Sequence, residues 1–213
     1  MHIVKLHDVD DHTSLFDEIA DVLGRGGLAC FPCNGSYRIA VDLQNADAVI
    51  RLFQSKRRVG KAPALVFVDG AEMLARVAAT IDPLAHKLVS NFWPGPLTIL
   101  FDAHPDLDRR VVRELTKANG KIGVRVPDDN FAAGVVRRFG GPLLVSSANR
   151  ENRAGETSPA QVRQTFMHRI DVFIDAGDLS PAPHSTVVEV SDDAFSVARE
   201  GAISLETLAA VEI

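Results

Sequence analysis

Cysteine is scarce in these 213 residues: Cys30 and Cys33 are the only two. Their C-x-x-C spacing suits a redox pair only where it opens a helix, whose N-terminus favours the thiolate. Here Cys33 runs into Asn34-Gly35-Ser36, a turn signal. A zinc site needs two more ligands, and no second C-x-x-C or H-x-x-x-H pattern supplies them. The seven histidines are scattered and form no metal motif. No apolar run is long enough to span a bilayer. Met1 to Asp8 lacks the apolar core of a signal peptide, so the cytoplasm is the expected compartment. A basic excess is also missing. The net charge of -5 argues against a general nucleic-acid binder, though not against a local basic patch. Gly60-Lys61-Ala62 lacks the hydroxyl and the upstream glycine of a P-loop, and there is no G-x-S-x-G elbow. Gly24, Gly26 and Gly27 follow a helical pattern and not a strand, which argues against a dinucleotide fingerprint.

What is present reads as strands alternating with helices. Strands are expected at His2–Leu6, Leu28–Phe31, Tyr37–Leu43, Ala64–Val68, Leu97–Phe101 and Ile122–Val126. Four more are expected at Leu143–Val145, Val172–Ile174, Thr186–Val190 and Phe195–Ala198. Pro32 to Ser36 reads as a loop. Helices are expected after Asp10-Asp11, from Asn45, from Asp69-Gly70 to about Ala79, and from Asp82 to Phe92. Others run from Phe131 to Phe139, from Pro159 to His168 and from Ser204 to Val211. The alternation predicts an α/β fold with some parallel strands, and no linker or repeat divides residues 1–213 into more than one domain.

Gly140-Gly141-Pro142 turns into the apolar run Leu143–Val145, which opens into Ser146-Ser147-Ala148-Asn149. Small polar residues at a strand's carboxyl end let a ligand approach the backbone. Cations gather at other element ends: Lys56-Arg57-Arg58, Arg125 and Arg199. In an acidic chain these point to an anionic ligand. Arg125 interrupts the apolar strand Gly123-Val124-Arg125-Val126-Pro127, where a charge is costly unless paired or at a cleft. The residues alone leave open an internal ion pair there and a solvated helix end at Lys56–Arg58.

Six stretches, in order, resemble the YrdC/TsaC family of threonylcarbamoyl-AMP synthases. They are Lys56-x-Arg58 with Pro63, Trp93-Pro94-Gly95-Pro96-Leu97-Thr98, Gly123–Pro127, Ser147-Ala148-Asn149, Ser185-Thr186-Val187-Val188 and Arg199-Glu200-Gly201-Ala202-Ile203. The resemblance implies a YrdC/RibB-like fold: a single-domain, twisted, open mixed sheet flanked by helices, with a large concave basic cleft. It implies that L-threonine, bicarbonate and ATP, with Mg²⁺, give threonylcarbamoyl-adenylate and pyrophosphate for the t6A modification of tRNA. Partner proteins would complete that modification, and tRNA or other RNA is a further expected partner. By position, Arg58, Asn149, Thr157 and Arg199 would hold ATP. Lys56 and Arg58 would carry the catalytic charge. Tyr37, Arg125, Ser147 and Ser185 would face the amino acid.

One region departs from that pattern. The family's proline-threonine-aspartate-threonine-x-tyrosine-glycine-leucine stretch stands here as Pro32-Cys33-Asn34-Gly35-Ser36-Tyr37-Arg38-Ile39, and only Pro32 and Tyr37 match. Arg38 replaces a glycine. Val59, Ala62 and Phe67 are further departures. They cluster at the amino-acid side, which keeps three other readings open: a paralogue with another amino-acid or acyl substrate, an ATP sensor without turnover, and a non-catalytic RNA-binding module.

Overall fold

Asp11 starts the first helix by accepting from the Thr13 N–H at 2.9 Å. The computed structural model describes residues 1–56, 64–116, 120–150, 156–191 and 194–211. Helix α1 (His12–Gly24) buries Leu15, Ile19, Val22 and Leu23 at helical spacing. Phe16 at its edge meets Phe131, with ring centroids 5.2 Å apart. Before α1 lie β1 (His2–Lys5) and a short 3-10 turn, Leu6–Asp8.

The chain then forms a hairpin of β2 (Ala29–Cys33) and β3 (Ser36–Asp42). Its turn is only Asn34-Gly35, both at positive φ (47° and 72°), as a type I′ turn requires. The loop expected at Pro32–Ser36 is therefore shorter, because both strands run up to this turn. Pro32 fits inside β2 for a specific reason. It stands opposite Tyr37, whose N–H donates to the Glu156 carbonyl and whose C=O accepts from Ala148. No bond from residue 32 is needed.

After the hairpin come α2 (Ala46–Lys56), β4 (Ala64–Phe67), α3 (Ala71–Leu74), α4 (Pro83–Phe92) and β5 (Leu97–Phe101). Helix α3 stops short of Ala79. The Ala79 N–H goes instead to the Asp102 carbonyl, and the Val77 carbonyl accepts from His104. Helix α5 (Arg109–Leu115) has no counterpart among the sequence expectations. Asp108 caps it through Arg110 N at 2.7 Å, but it buries only Val111 and Leu115, too few positions to show a period. Then follow β6 (Ile122–Arg125), α6 (Asn130–Phe139), β7 (Leu143–Ser147), α7 (Pro159–Phe166), β8 (Val172–Asp175), β9 (Thr186–Ser191), β10 (Ala194–Arg199) and α8 (Leu205–Ala209).

All ten strands join one mixed sheet in the order β1-β8-β2-β3-β7-β4-β6-β5-β9-β10. Four pairings are parallel (β1–β8, β8–β2, β4–β6, β5–β9) and the rest are antiparallel. Strand β7 is antiparallel to both neighbours. The rule that ligands gather at the carboxyl ends of parallel strands thus does not locate a site here, and the side chains must do so.

Candidate active site

Lys56 closes α2 and is only 5% exposed. A cation so buried needs oxygen partners. Its ammonium donates to Ser146 Oγ at 2.7 Å and to the Ser147 carbonyl, with Ser147 Oγ at 3.3 Å and Asn149 Oδ1 at 3.4 Å. Ser147 Oγ donates to Asn149 Oδ1 at 2.7 Å, and Asn149 Nδ2 donates to Glu156 Oε2 at 3.2 Å. Thr157 follows Glu156, and its carbonyl accepts from Leu179 N at 2.9 Å. The Lys56, Ser147 and Asn149 expected from sequence are thus one network. Ser146, which the sequence reading placed among the small polar residues after the strand but gave no role, accepts the shortest bond that Lys56 makes to a side chain. Arg58 falls in residues 57–63, outside the described residues, as do Val59, Ala62 and Pro63.

A second cluster forms where β5, β6 and β9 meet. Arg125 ends β6 and is 5% exposed. Its Nε donates to the Gly95 carbonyl at 2.7 Å and its Nη2 to Asp128 Oδ1 at 2.5 Å. Among the described residues nothing accepts from Nη1, which leaves one edge of the guanidinium for a ligand. Gly95 allows the tight bend that aims this carbonyl, since a Cβ there would lie 2.1 Å from the Phe92 carbonyl oxygen. Burial pushes the Asp128 carboxyl up, but the Asn34 amide and Arg125 outweigh it and hold it below its ordinary value. Ser185 is buried and shares a 2.9 Å bond with Thr98. Arg199, an exposed residue of the edge strand, donates from Nη2 to the Ser185 carbonyl at 2.8 Å and to its Oγ at 3.2 Å. Thr98, Asp128 and Asn34 were not singled out as site residues. The one signal for Asp128 was its place three residues after Arg125.

The register sets these clusters far apart on the ladder. Arg38 pairs with Ser147, whereas Arg125 pairs with Phe67, which pairs with Leu143. Four residues of strand, about 13 Å, separate the two levels. Yet Asn34 Nδ2, beyond the Arg38 end, donates to Asp128 Oδ1 at 2.9 Å, and Asn34 N donates to Asp129 Oδ2 at 3.0 Å. These two bonds bring the β2–β3 turn onto the segment that follows β6. The hairpin turn bridges the two clusters.

Tyr37 sits differently from a substrate-facing tyrosine. Its ring is fully buried against Phe173, and its hydroxyl donates to the Gly177 carbonyl at 2.7 Å while accepting from Ala176 N at 2.9 Å. It pins the hairpin to the segment after β8. Tyr37→Phe is expected to strand both backbone groups and to lower unfolding free energy by about 1–3 kcal/mol, measured by urea titration.

The two thiols face opposite sides of β2, as residues three apart on a strand must, so they cannot bridge. Burial pushes the Cys30 thiol well up, against a smaller pull from Lys56. Burial also raises Cys33, to about 12, against the pull of Arg38. At pH 7 neither is a nucleophile. Ellman's reagent is expected to leave both untouched in the native protein and to titrate both after unfolding. The thermal midpoint should be the same with and without reductant.

Residues 21–201 match the Sua5/YciO/YrdC family model, described as "Telomere recombination". The chain is 29% identical over 209 residues to threonylcarbamoyl-AMP synthase of Bacillus subtilis, covering 96% of this chain and 59% of that protein. It is 24% identical over 198 residues to the uncharacterized protein YciO of Escherichia coli, covering 92% and 93%. Its fold matches Sua5 of P. abyssi in complex with L-threonine, with a TM-score of 0.85 at 25% identity, covering 99% of this chain and 60% of the other. The chain thus spans about three-fifths of the Bacillus synthase and of the P. abyssi Sua5 chain.

Proposed function

The chain belongs to the Sua5/YciO/YrdC family, and we propose that it is a threonylcarbamoyl-AMP synthase, a nucleotidyltransferase. In this reading L-threonine, bicarbonate and ATP give threonylcarbamoyl-adenylate, pyrophosphate and water. The observation that carries it is that one mixed sheet holds two clusters, Lys56 with Ser147 and Asn149, and Arg125 near Ser185 and Arg199, with the Asn34 turn joined to Asp128 beside the second. Fixed cations in both clusters suit anionic substrates.

The chemistry asks for position and charge more than for a protein nucleophile. Arg125 receives the threonine carboxylate on its open edge, and Ser147 and Ser185 border that substrate. Asn149, Thr157, Arg199 and Arg58 hold ATP. Lys56 faces the phosphates, and a carboxylate oxygen of N-carboxythreonine attacks the α-phosphorus as pyrophosphate leaves. The charge that develops is met by these fixed cations. Mg²⁺ arrives with the triphosphate, whose oxygens are its ordinary ligands. The product feeds t6A formation on tRNA by partner proteins, with tRNA itself a further partner and the cytoplasm the expected compartment. Among the described residues no helix is long and apolar enough to cross a membrane.

The test is pyrophosphate release from ATP in bicarbonate buffer with Mg²⁺, across the amino acids. Release that depends on threonine and bicarbonate is the expected result. Tight ATP binding without release would turn the reading toward a sensor. Retention on RNA with a steep salt dependence, and no ATP binding, would turn it toward an RNA-binding module.

A further inference from the structure

Arg38 is a cation beside these clusters to which the proposed reaction gives no role. It is the third residue of β3, in register with Ser147. Its Nε is sealed from solvent, and among the described residues nothing accepts from it. Opposite charge is scarce around it. Glu156 acts on it, but that carboxylate already accepts from Asn149. Cys33 also acts on it, but its thiol stays protonated at neutral pH. Two like charges bear on it as well, Arg125 and Arg199. Burial is nevertheless the largest influence and pulls the guanidinium below its ordinary value. A desolvated cation beside two others, with an N–H left over, is unfavourable in the empty protein and is relieved when an anion enters.

Its place says which anion. Arg38 stands in register with Ser147, in the cluster assigned to the nucleotide. Arg125, assigned to the α-carboxylate, is near enough to act on it as a like charge. The group that must stand between them is a second carboxylate, the one that attacks phosphorus. We propose that Arg38 binds a second carboxylate of the amino-acid substrate, through a planar fork that a lysine could not reproduce. This rests on the function proposed above. The carboxylate has two sources: bicarbonate, as the N-carboxylate of threonine, or the side chain of an acidic amino acid.

Two measurements separate the outcomes. Calorimetric titration of the wild-type protein and Arg38→Gln compares malonate, a dicarboxylate, with acetate. Malonate is expected to bind at least tenfold more weakly to the variant, with acetate within threefold. Equal malonate affinities overturn the proposal. Should Arg38→Gln not fold by circular dichroism, Arg38→Lys, which keeps the charge without the fork, carries the same expectation. Steady-state pyrophosphate release then assigns the source. A bicarbonate KM raised at least tenfold in the variant, with threonine KM within threefold, assigns the N-carboxylate. A wild-type preference for aspartate or glutamate over threonine, lost in the variant, assigns the side chain. An unchanged bicarbonate KM with no acidic preference overturns the proposal. Absence of release with every amino acid sinks the proposed function alone, and the malonate titration still decides the role of Arg38.

Discussion

Lys56→Met is expected to lower kcat/KM for pyrophosphate release by about 10²- to 10³-fold, the cost of removing one fixed charge donor from a water-poor site. The side chain is nearly isosteric, so packing at the end of α2 should survive. What is lost is the ammonium that joins Ser146 Oγ and the Ser147 carbonyl, with Ser147 Oγ and Asn149 Oδ1 nearby. Two effects then compete in stability. Removing a buried charge is favourable, while leaving the Ser147 carbonyl without its donor costs about 1–3 kcal/mol. The thermal midpoint should therefore move little while turnover collapses. Stopped-flow or coupled pyrophosphate assays, beside a thermal melt, check both halves. A variant within threefold of wild-type turnover would remove Lys56 from the machinery.

Arg125→Lys should act on a different constant. Arginine holds Gly95 and Asp128 with two N–H groups and keeps a third edge open. A lysine ammonium is a point charge and cannot serve all three directions. Truncating one member of a buried, charged hydrogen-bond set costs about 2–5 kcal/mol. Threonine KM is accordingly expected to rise by about 30-fold or more, with ATP KM within threefold. The clamp should also be insensitive to pH across the neutral range. The Asp128 carboxyl is held below its ordinary value of 3.8. Its pairing is therefore complete above that value and is lost only as pH falls through the lowered one. Equal rises in the threonine and ATP KM values would mean that Arg125 supports the fold of the cleft and does not bind the amino acid.

Much of the local structure was legible along the chain. Helix α1 is announced by Asp11 and by buried residues at helical spacing, and β5 is one apolar run with a proline before it. The misses share a cause. At Pro32 a proline read as a loop, because the side to which Tyr37 turns its hydrogen bonds is a property of its partner strand. Helix α5 buries too little for a pattern, and α3 ends early because Ala79 finds a bond to Asp102 from another part of the fold.

The candidate site divides in the same way. Arg125 was visible as a charge inside an apolar strand, and Ser147 to Asn149 as small polar residues after one. Their sequence stretches also carried the family, which residues 21–201 match. Chemical identity of this kind is local, and a strand or a cap is decided within a few residues. What the sequence does not contain is distance. Lys56 meets Ser147 across 91 positions, and Asn34 meets Asp128 across 94. Those contacts depend on strand order and on the twist that accumulates across ten strands, which no short window encodes. Tertiary packing likewise ties the Tyr37 hydroxyl to the segment after β8 and leaves Arg38 Nε without an acceptor among the described residues. Residue types and most elements were thus determined by the sequence alone, while a few element ends and the choice of which charges are spent and which stay available were decided by the tertiary structure.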